Sequence, residues 1–585
     1  MSPVAGETTV RGVVQSVVFQ SPDGKFSVVR LLGLDGRETR VIGDLGALVE
    51  GEQVRVTGRM ENNPTRGPQL RASVLVPELP STTKGIQSLL GSGFVDGIGP
   101  AMAERIVSRF GSATLDIIAD HPERLREIAG IGKGRAKKIK TAFHARRAES
   151  EARAFLQAAG FGPSLAQKVI RAYGDQTPAI VRQDPYRLAR EIHGVGFRTA
   201  DAIALQIGIP KDAPSRAAGA VLHLVNEASD QGHTALPRDA LRRSAEMYEV
   251  PDERVLEALD HLAEKRHLVL DGDLVYAPPL HRAETFLARR LGEINRDGVP
   301  PISAKALSSP TVASALAPLN VEQRSAVQAL VDAQLLVLTG GPGTGKTTTV
   351  RAIVALVSAA KLTIALASPT GRAARRLSEA TGKPASTIHR LLEWNPRLAR
   401  FNRDETSPLE ADVVLVDEAS MLDVVLASRI VAALKVGARL VFVGDADQLP
   451  SVGPGTVLAD LLATPWVRAV RLTEVFRQAA ASAIIRAAHD ILNGRVPEGS
   501  APRAKGTREP PRGELFRVVC EDAEQAAELL VRTVAERIPE SFGLDPMRDV
   551  QVLVPTHKGP LGAVALNRAL QRVLNPLPAG EPPLP

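Results

Sequence analysis

The sequence predicts a multidomain α/β protein, and three observations carry that reading. A phosphate-loop signature stands between an apolar strand and a helix near residue 340. Four Gly-x-Gly pairs, each leading into a helical pattern, recur between residues 81 and 210. Short runs of β-branched residues separated by turn signals fill the first 80 residues. A length of 585 residues corresponds to roughly three to five domains, which excludes a single small binding module. Apolar residues make up 44% and charged residues 23% of the chain, the balance of a folded protein. The single cysteine, Cys520, excludes a disulfide framework and a multi-cysteine zinc site. No apolar run approaches the ~18–20 residues of a membrane span, and MSPVAGETTV lacks a signal-type apolar core. The expected location is therefore the reducing cytoplasm, with no membrane partner.

Residues 1–80 are expected to form a small β-barrel of the oligonucleotide-binding type. TTVRGVVQSVVFQ, KFSVVRLLGL, RETRVIGDLG and GEQVRVTGRM are strand-like, with turns at Ser21-Pro22-Asp23-Gly24 and Asp35-Gly36. Phe19 and Phe26 are too few aromatics to argue base stacking. A scaffold role and a strand-binding role stand level here.

Residues 81–210 hold the internal repeat. Gly97-Ile98-Gly99, Gly130-Ile131-Gly132, Gly160-Phe161-Gly162 and Gly194-Val195-Gly196 follow one another at intervals of 33, 30 and 34 residues. Such a unit is a tight hairpin whose glycines leave bare backbone N–H groups at the next helix's N-terminus, a place suited to a phosphate. It resembles the helix-hairpin-helix family, whose members grip DNA backbone without reading sequence. Lys133, Arg135, Lys137, Lys138 and Lys140 make the second copy the most basic. Lys133, Lys137 and Lys138 are the candidate DNA contacts there. The region carries 19 Lys and Arg against 12 Asp and Glu, so the whole chain's net charge of +7 sits within it. Some copies are expected to serve only as packing.

Residues 211–285 read as a winged-helix-like domain: three helical stretches, then HLVLDGDLVYAPP with an Asp271-Gly272 turn. A packing role is the stronger reading for it. Residues 286–318, ending in VPPISAKALSSPTVASALAP, read as a linker.

From residue 319 the signal is specific. LLVLTGGPGTGKTTTV places the apolar strand Leu335–Leu338 before Gly340-x4-Gly345-Lys346-Thr347, and a helix follows. Glycines let successive N–H groups turn inward around phosphate, and the helix N-terminus adds its positive end. Lys346 suits the β- and γ-phosphates and the Thr347 hydroxyl suits Mg²⁺. The Mg²⁺ partner should be an acid ending a buried strand. DVVLVDE (412–418) supplies Asp417 for the metal and Glu418 to orient or deprotonate water. ARLVFVGDADQLPSVGPG ends a further strand at Asp445, Asp447 and Gln448. LTIALASPT (362–370) and ASTIHRLL offer strand-end groups suited to phosphodiesters. By itself His389 would be a satisfied structural histidine.

Taken together, Gly340–Thr347, ASPTGRAARRL (367–377), STIHRLL (386–392), VDEASM (416–421), GDADQLPSVGPG (444–455) and LTEVFRQ (472–478) stand in helicase order. The set resembles superfamily 1 DNA helicases of the RecD type. The N-terminal appendages resemble the long form that acts outside the RecBCD nuclease complex. The resemblance implies RecA-like P-loop motor domains, the first over 319–470 and the second beginning at 471–585, with ATP and Mg²⁺ as cofactors. It implies a nucleotide site of Gln323, which would read adenine, with Gly341, Pro342, Gly343, Thr344, Gly345, Lys346, Thr347 and Thr348. Lys346, Asp417, Glu418, Gln448 (the γ-phosphate contact) and Arg477 (charge on the transferred phosphoryl) would be catalytic. Pro369, Thr370, Arg372, Thr387 and His389 would line the single-strand track. Residues 393–412 would be the hairpin pin that splits strands. Members of this branch move 5′→3′ on single-stranded DNA.

PTHKGPLGAVALNRALQ (555–571) resembles a later motif, after which PLPAGEPPLP ends the sequence without the small barrel insertion, the Val-His/Gln-Gly segment or the final arginine of that family. The expectation is an incomplete second motor domain. The leading functional expectation is a monomeric 5′→3′ DNA helicase of repair or recombination, acting on single-stranded and 5′-tailed duplex DNA and associated with the nucleoid when bound. A DNA-binding ATP switch without unwinding is the alternative. A RecD subunit of a RecBCD-type complex is a third, disfavoured by the long N-terminal extension.

Overall fold

The computed structural model describes residues 8–21, 26–33, 35–45, 48, 50–63, 67–78, 80, 82–91, 95, 98–192, 194–474, 482–499 and 513–576. The chain forms two compact units, Met1–His281 and Arg282–Pro585.

The first unit opens with β1 (Thr8–Gln20), β2 (Ser27–Gly33), β3 (Glu38–Gly43), β4 (Gln53–Asn63) and β5 (Gly67–Glu78). They close into a barrel in the order β1-β2-β3-β5-β4. β3 and β5 pair in parallel, while β1 and β4 close the barrel antiparallel. Two register shifts in β1, at Val14/Ser16 and Val17/Phe19, bend it around the barrel. The inward positions Val14, Val29, Leu31, Val41, Val54, Val56, Leu70 and Leu75 fill the interior.

The hairpins follow one backbone plan. Gly99, Gly132, Gly162 and Gly196 each sit in extended conformation as the N-cap of a helix, without a side-chain cap. The preceding glycines of the last three copies, Gly130, Gly160 and Gly194, take φ of 91°, 84° and 89°, a left-handed turn that β-carbon-bearing residues resist. The larger period is 63 residues. Helix Pro100–Phe110, then Gly111 and Thr114, reappears as helix Pro163–Tyr173, then Gly174 and Thr177. Both threonine hydroxyls donate at 2.7 Å to the carbonyl of the glycine three residues earlier.

Packing corrects the expected boundaries. Residues 81–210 are not one body. Ile86 through Phe143 form one core, and residues from Ala152 onward form another that continues into the winged-helix region as far as Val275. Helix Lys133–Ala158 serves both, through Ala136, Ile139 and Phe143 at one end and Ala152 and Leu156 at the other. The second hairpin pair cannot be divided from residues 211–285. Buried Tyr186 donates to Asp201 at 2.8 Å, and Arg216, from helix Pro214–Asp230, grips the same carboxylate through two bonds of 2.9 Å. A β-carbon on Gly219 would lie 2.6 Å from the Tyr186 ring, so that helix needs glycine to close on the tyrosine. The region itself has winged-helix order. Helix Pro214–Asp230 precedes β6 (Ala235–Pro237), helices Arg238–Glu246 and Asp252–Glu264, and the hairpin of β7 (Val269–Asp271) and β8 (Leu274–Tyr276). The sheet order is β6-β8-β7.

In the second unit, residues 286–318 are not a linker. They complete helix Pro278–Asp297 and form helices Ala304–Leu307 and Pro310–Leu316. Ser303 and Ser309 cap the two short helices by accepting from the Ala306 and Val312 N–H groups, so the residues that read as loop composition are helix starts. Ile302, Ala306, Val312 and Leu319 are buried in the α/β core, each large side chain contributing roughly 1.5–3 kcal/mol.

That core surrounds a parallel sheet of β9 (Leu335–Gly340), β10 (Ile364–Ser368), β11 (Ala385–Thr387), β14 (Val413–Val416), β15 (Arg439–Gly444) and β16 (Arg468–Leu472), in the order β11-β10-β14-β15-β9-β16. β9, β14 and β15 are buried along their whole length, as both-face burial demands. β16 pairs with β9 up to Leu472↔Gly340, so a boundary at residue 470 would cut a strand of the first motor domain. Within the expected hairpin insertion 393–412, β12 (Trp394–Asn395) and β13 (Arg400–Phe401) pair antiparallel, and isolated bridges join Asp404 to Ser407 and Leu409 to Leu434. Beyond Leu472 the described residues form helices, including Ala483–Leu492, Ala523–Arg532 and Ala563–Leu574, and no strand. The sheet of a second RecA-like domain is therefore not built among the described residues.

Candidate active site and nucleic-acid interface

The phosphate loop leaves the end of β9, and helix Lys346–Ala359 starts behind it with Gly345 as an N-cap that offers no side-chain acceptor. Gly343 and Gly345 have φ of 79° and 83°. A β-carbon on Gly340 would sit 2.7 Å from Thr344 Oγ1 and 2.8 Å from the Leu472 carbonyl, so the loop's first glycine is sterically required. Thr344 is buried and donates to the Gly341 carbonyl at 2.8 Å. Lys346 Nζ lies across the loop, donating to the carbonyls of Gly340 at 2.5 Å and Gly341 at 3.0 Å. Gly341 and Pro342 face a cavity of about 530 Å³ that Asp445, Gln448, Leu472 and Thr473 also line. Thr347 is exposed and Thr348 half-buried on the first helical turn.

Asp417 follows β14 directly, its N–H bonded to the Ala367 carbonyl at 2.9 Å and its Oδ1 accepting from the Glu418 N–H at 3.0 Å. Burial raises its carboxyl to about 6; the Glu418 charge adds to the rise, and the Lys346 charge and the Glu418 N–H oppose it. A buried strand-end carboxylate, within reach of the charge of Lys346 on the first turn of the loop's helix, has the chemistry of a divalent-cation ligand. Glu418 holds φ of 54°, a conformation costly for a residue with a β-carbon and common at functional sites. After β15, buried Asp445 organises its loop. It accepts from the Asp447 N–H at 3.1 Å and from Gln448 Nε2 at 3.2 Å, leaving Gln448 exposed toward the cavity.

Gln323 is fully buried, donating to the Thr344 carbonyl at 2.9 Å and accepting from the Asn320 N–H at 3.1 Å. With both ends of its amide engaged inside the protein, it braces the phosphate loop. Arg477 lies outside the described residues. The sequence reading missed Asn320 and Glu322, though Asn-x-x-Gln is a capping-box pattern that could have flagged the pair Asn320 and Gln323.

A second group of residues gathers along the neighbouring strand ends. Ser368 and Thr387 are partners in the β10–β11 register, which brings Pro369 and Thr370 beside Thr387 and His389. Thr370 and Thr387 are helix N-caps, accepting from the Ala373 and Arg390 N–H groups, so their hydroxyls already carry a structural bond. Arg372 and His389 are exposed. His389 packs at 5.6 Å from Phe401 and 6.3 Å from Trp394, at the base of the β12–β13 hairpin.

The hairpins in the first unit differ in availability. In the second, Lys133, Lys137 and Lys138 are exposed around the bare N-terminus of helix Lys133–Ala158. In the third, the Ser164 N–H donates to barrel residue Asp44 at 3.1 Å, and Glu52 of the barrel lies 4.0 Å from buried Arg153. That hairpin is a dock for the barrel.

A parallel sheet carrying a phosphate loop, strand-end acids and a polar strand-end track, in a chain that also holds a closed barrel and helix-hairpin-helix repeats, defines an ATP-dependent DNA helicase of superfamily 1. Residues 7–80 match the OB-fold domain of ATP-dependent DNA helicase YrrC, and 88–145 a SAM-like helix-hairpin-helix tandem. Residues 145–235 match the helix-hairpin-helix domain of ATP-dependent RecD2 DNA helicase, and 323–454 an AAA domain. The chain is 33% identical to the ATP-dependent RecD2 DNA helicase of Deinococcus radiodurans over 97% of its own length and 79% of that protein's. It belongs to the RecD2 family of DNA helicases. The RecD subunit of the Mycolicibacterium smegmatis RecBCD enzyme is 36% identical over 45% of this chain and 51% of its own. A Pif1 helicase from Bacteroides, solved with ADP-AlF3 and ssDNA, is 19% identical over 37% of this chain and 57% of its own, with a TM-score of 0.24. The family boundary at residue 145 falls between the two hairpin cores, and the RecD2 match runs on into the winged-helix region, as the shared core does. Among the described residues no helix is long and apolar enough to cross a membrane.

Proposed function

We propose that this chain moves 5′→3′ along single-stranded DNA and opens 5′-tailed duplexes in repair or recombination, using ATP and Mg²⁺. The observation that carries the reading is Lys346 stretched across the phosphate loop beside buried, cation-deficient Asp417. In this reading Lys346 and the loop amides bind the β- and γ-phosphates, and Thr347 and Asp417 hold the metal. Mg²⁺, when bound there, supplies charge neutralisation of the phosphate oxygens. Glu418 orients or deprotonates the attacking water, Gln448 contacts the γ-phosphate, and Arg477 offsets charge on the phosphoryl in flight. Pro369, Thr370, Arg372, Thr387 and His389 carry the single strand, the β12–β13 hairpin meets the fork, and Lys133, Lys137 and Lys138 hold backbone phosphates.

The test is ATP turnover with and without single-stranded DNA, together with unwinding of 5′-tailed and 3′-tailed duplexes by the wild type and Lys346→Ala. Strand-stimulated turnover and unwinding confined to the 5′-tailed substrate, both abolished by the substitution, support the reading. ATP binding without strand-stimulated turnover would favour a DNA-binding ATP switch, a second reading motivated by the absence of a strand among the described residues beyond Leu472.

A further inference from the structure

The β12–β13 hairpin is held at its base by a pair of rings. Trp394 and Phe401 stand directly opposite each other across the two strands, with centroids 4.8 Å apart and planes tilted by 59°. His389 joins them, 5.6 Å from Phe401. Aromatic residues make up only 3% of the chain, and one of its two tryptophans stands here, 41% exposed. A cross-strand ring pair explains how so short a hairpin holds together. It does not explain the space beside the rings.

Trp394, Phe401 and His389 line a cavity of about 450 Å³, whose other wall is helix Val424–Ala432. Leu426 and Arg429 face it from that helix, three residues apart and so on one side. The volume falls within the roughly 300–1,000 Å³ of small-ligand sites. Three of its polar groups are already engaged. Asp404 Oδ1 accepts the Thr406 N–H and hydroxyl, Asp423 caps helix Val424–Ala432 through the Leu426 N–H, and Arg403 pairs with Glu393 at 2.8 Å. Arg400 and Arg429 are exposed and make no side-chain hydrogen bond or ion pair among the described residues. The cavity therefore offers aromatic and apolar walls with these two cations beside them. A purely apolar ligand has no use for the cations, and a bare anion none for the rings. A nucleotide unit uses both, through its flat base and its phosphate.

We propose that this cavity receives a single nucleobase of the DNA strand at the junction of single strand and duplex, stacked on Trp394 and Phe401, with Arg400 and Arg429 on the flanking phosphates. The inference rests on the reading of His389 as part of the strand track and of the hairpin as the element that meets the fork. His389 belongs to both places, so the cavity adjoins the track. A base released from the duplex loses its stacking neighbours, and the rings replace one of them. Every base has a π-face, so the site accepts all four. One base stacked on an aromatic side chain corresponds to about 5- to 150-fold in affinity.

The experiment uses the full chain carrying Trp466→Phe, so that Trp394 is its only tryptophan, and measures binding without ATP. The probes are labelled 5′-tailed duplexes, whose junction fixes the register, with one abasic site at successive positions of the tail. Affinity is read by anisotropy of the label and base contact by Trp394 emission. The intact probe should quench Trp394. One abasic position should abolish the quenching and weaken binding about 5- to 150-fold, while the others stay within about twofold. Trp394→Ala should lose a similar factor and become indifferent to that abasic site, and Trp394→Phe should keep most of the affinity. Unchanged affinity in Trp394→Ala, or equal effects of every abasic position, overturns the base pocket. Quenching by deoxynucleoside monophosphates as strong as that by the tailed probe overturns it too, in favour of a free-nucleotide site. Equal affinity for tailed and blunt duplexes overturns the single-strand track itself, whereas tail-dependent affinity with Trp394 silent overturns the pocket alone. Should Trp394→Ala fail to fold, the abasic series on the Trp466→Phe chain decides alone.

Discussion

The carboxylate of Asp44, at the rim of the barrel, accepts the backbone N–H of Ser164 at the start of helix Pro163–Tyr173. An anion already occupies the place where a hairpin of this kind would receive a phosphate. The third hairpin therefore contributes to architecture, and its neighbour Arg153 is likewise turned inward, toward Glu149 and Glu52 of the same unit. Replacing Asp44 with Ala should lower stability by about 1–2 kcal/mol, the scale of a charge-assisted bond to a helix end, as read by urea denaturation. Duplex affinity should stay within about twofold. A marked gain in affinity would mean that DNA can compete for this hairpin.

The second hairpin should behave in the opposite way. Lys137 and Lys138 are exposed and make no side-chain ion pair among the described residues. Reversing both to Glu should weaken DNA binding uniformly across sequences. It should also flatten the salt dependence by about 0.7–0.9 in log–log slope for each phosphate that the protein no longer neutralises. An unchanged slope in a salt titration would remove this hairpin from the interface.

Arg216 and Asp201 weld the second hairpin pair to the winged-helix region, with relative exposures of 5% and 13% for the two side chains. Arg216 also donates to the carbonyls of Tyr248, Glu249 and Lys211. Arg216→Ala strands a buried carboxylate and several carbonyls, and should cost about 3–5 kcal/mol. Calorimetry of the full chain should show the transition of the first unit lowered and that of the second unit in place. A shift of both would make the loss global rather than local.

At the foot of β10 and β14, Asp412 accepts from the Thr363 N–H and hydroxyl, both at 2.7 Å, and pairs with Lys435 at 2.7 Å. The Lys435 bond first, and then the two Thr363 bonds, hold its carboxyl down at about 2 against an ordinary 3.8. A carboxyl depressed in the folded state stabilises above its unfolded pKa, and that contribution is lost as pH falls through the folded value. Asp412→Asn should therefore be less stable than wild type at pH 7. The gap should persist down to about pH 4 and shrink toward pH 2, as followed by denaturation at each pH. A gap that stays constant over that window would assign the effect to packing.

Much of this protein was legible because its signals are local. The phosphate loop announces itself through Gly343 and Gly345, whose left-handed backbone is written into residue type. The buried strands announce themselves as unbroken runs such as Val413–Val416. The linker reading failed because Ser303 and Ser309 are helix caps whose helices exist only when Ile302, Ala306 and Val312 reach the core. The bracing role of Gln323 was hidden for the same kind of reason: its amide is engaged by Thr344, 21 residues away.

What the sequence by itself determined is the chemistry and its carriers: a nucleotide loop, strand-end acids, a barrel, glycine hairpins and a charge excess confined to residues 81–210. Each follows from backbone preference or periodicity within about a dozen residues. What only the tertiary structure decided is availability. It closed the third hairpin with a carboxylate from 120 residues upstream, merged the second hairpin pair with the winged helix, and drew Glu322 onto a segment 151 residues further along. Those bonds join groups whose own neighbours in the chain say nothing of the partner, so they come into being only when burial brings the elements together.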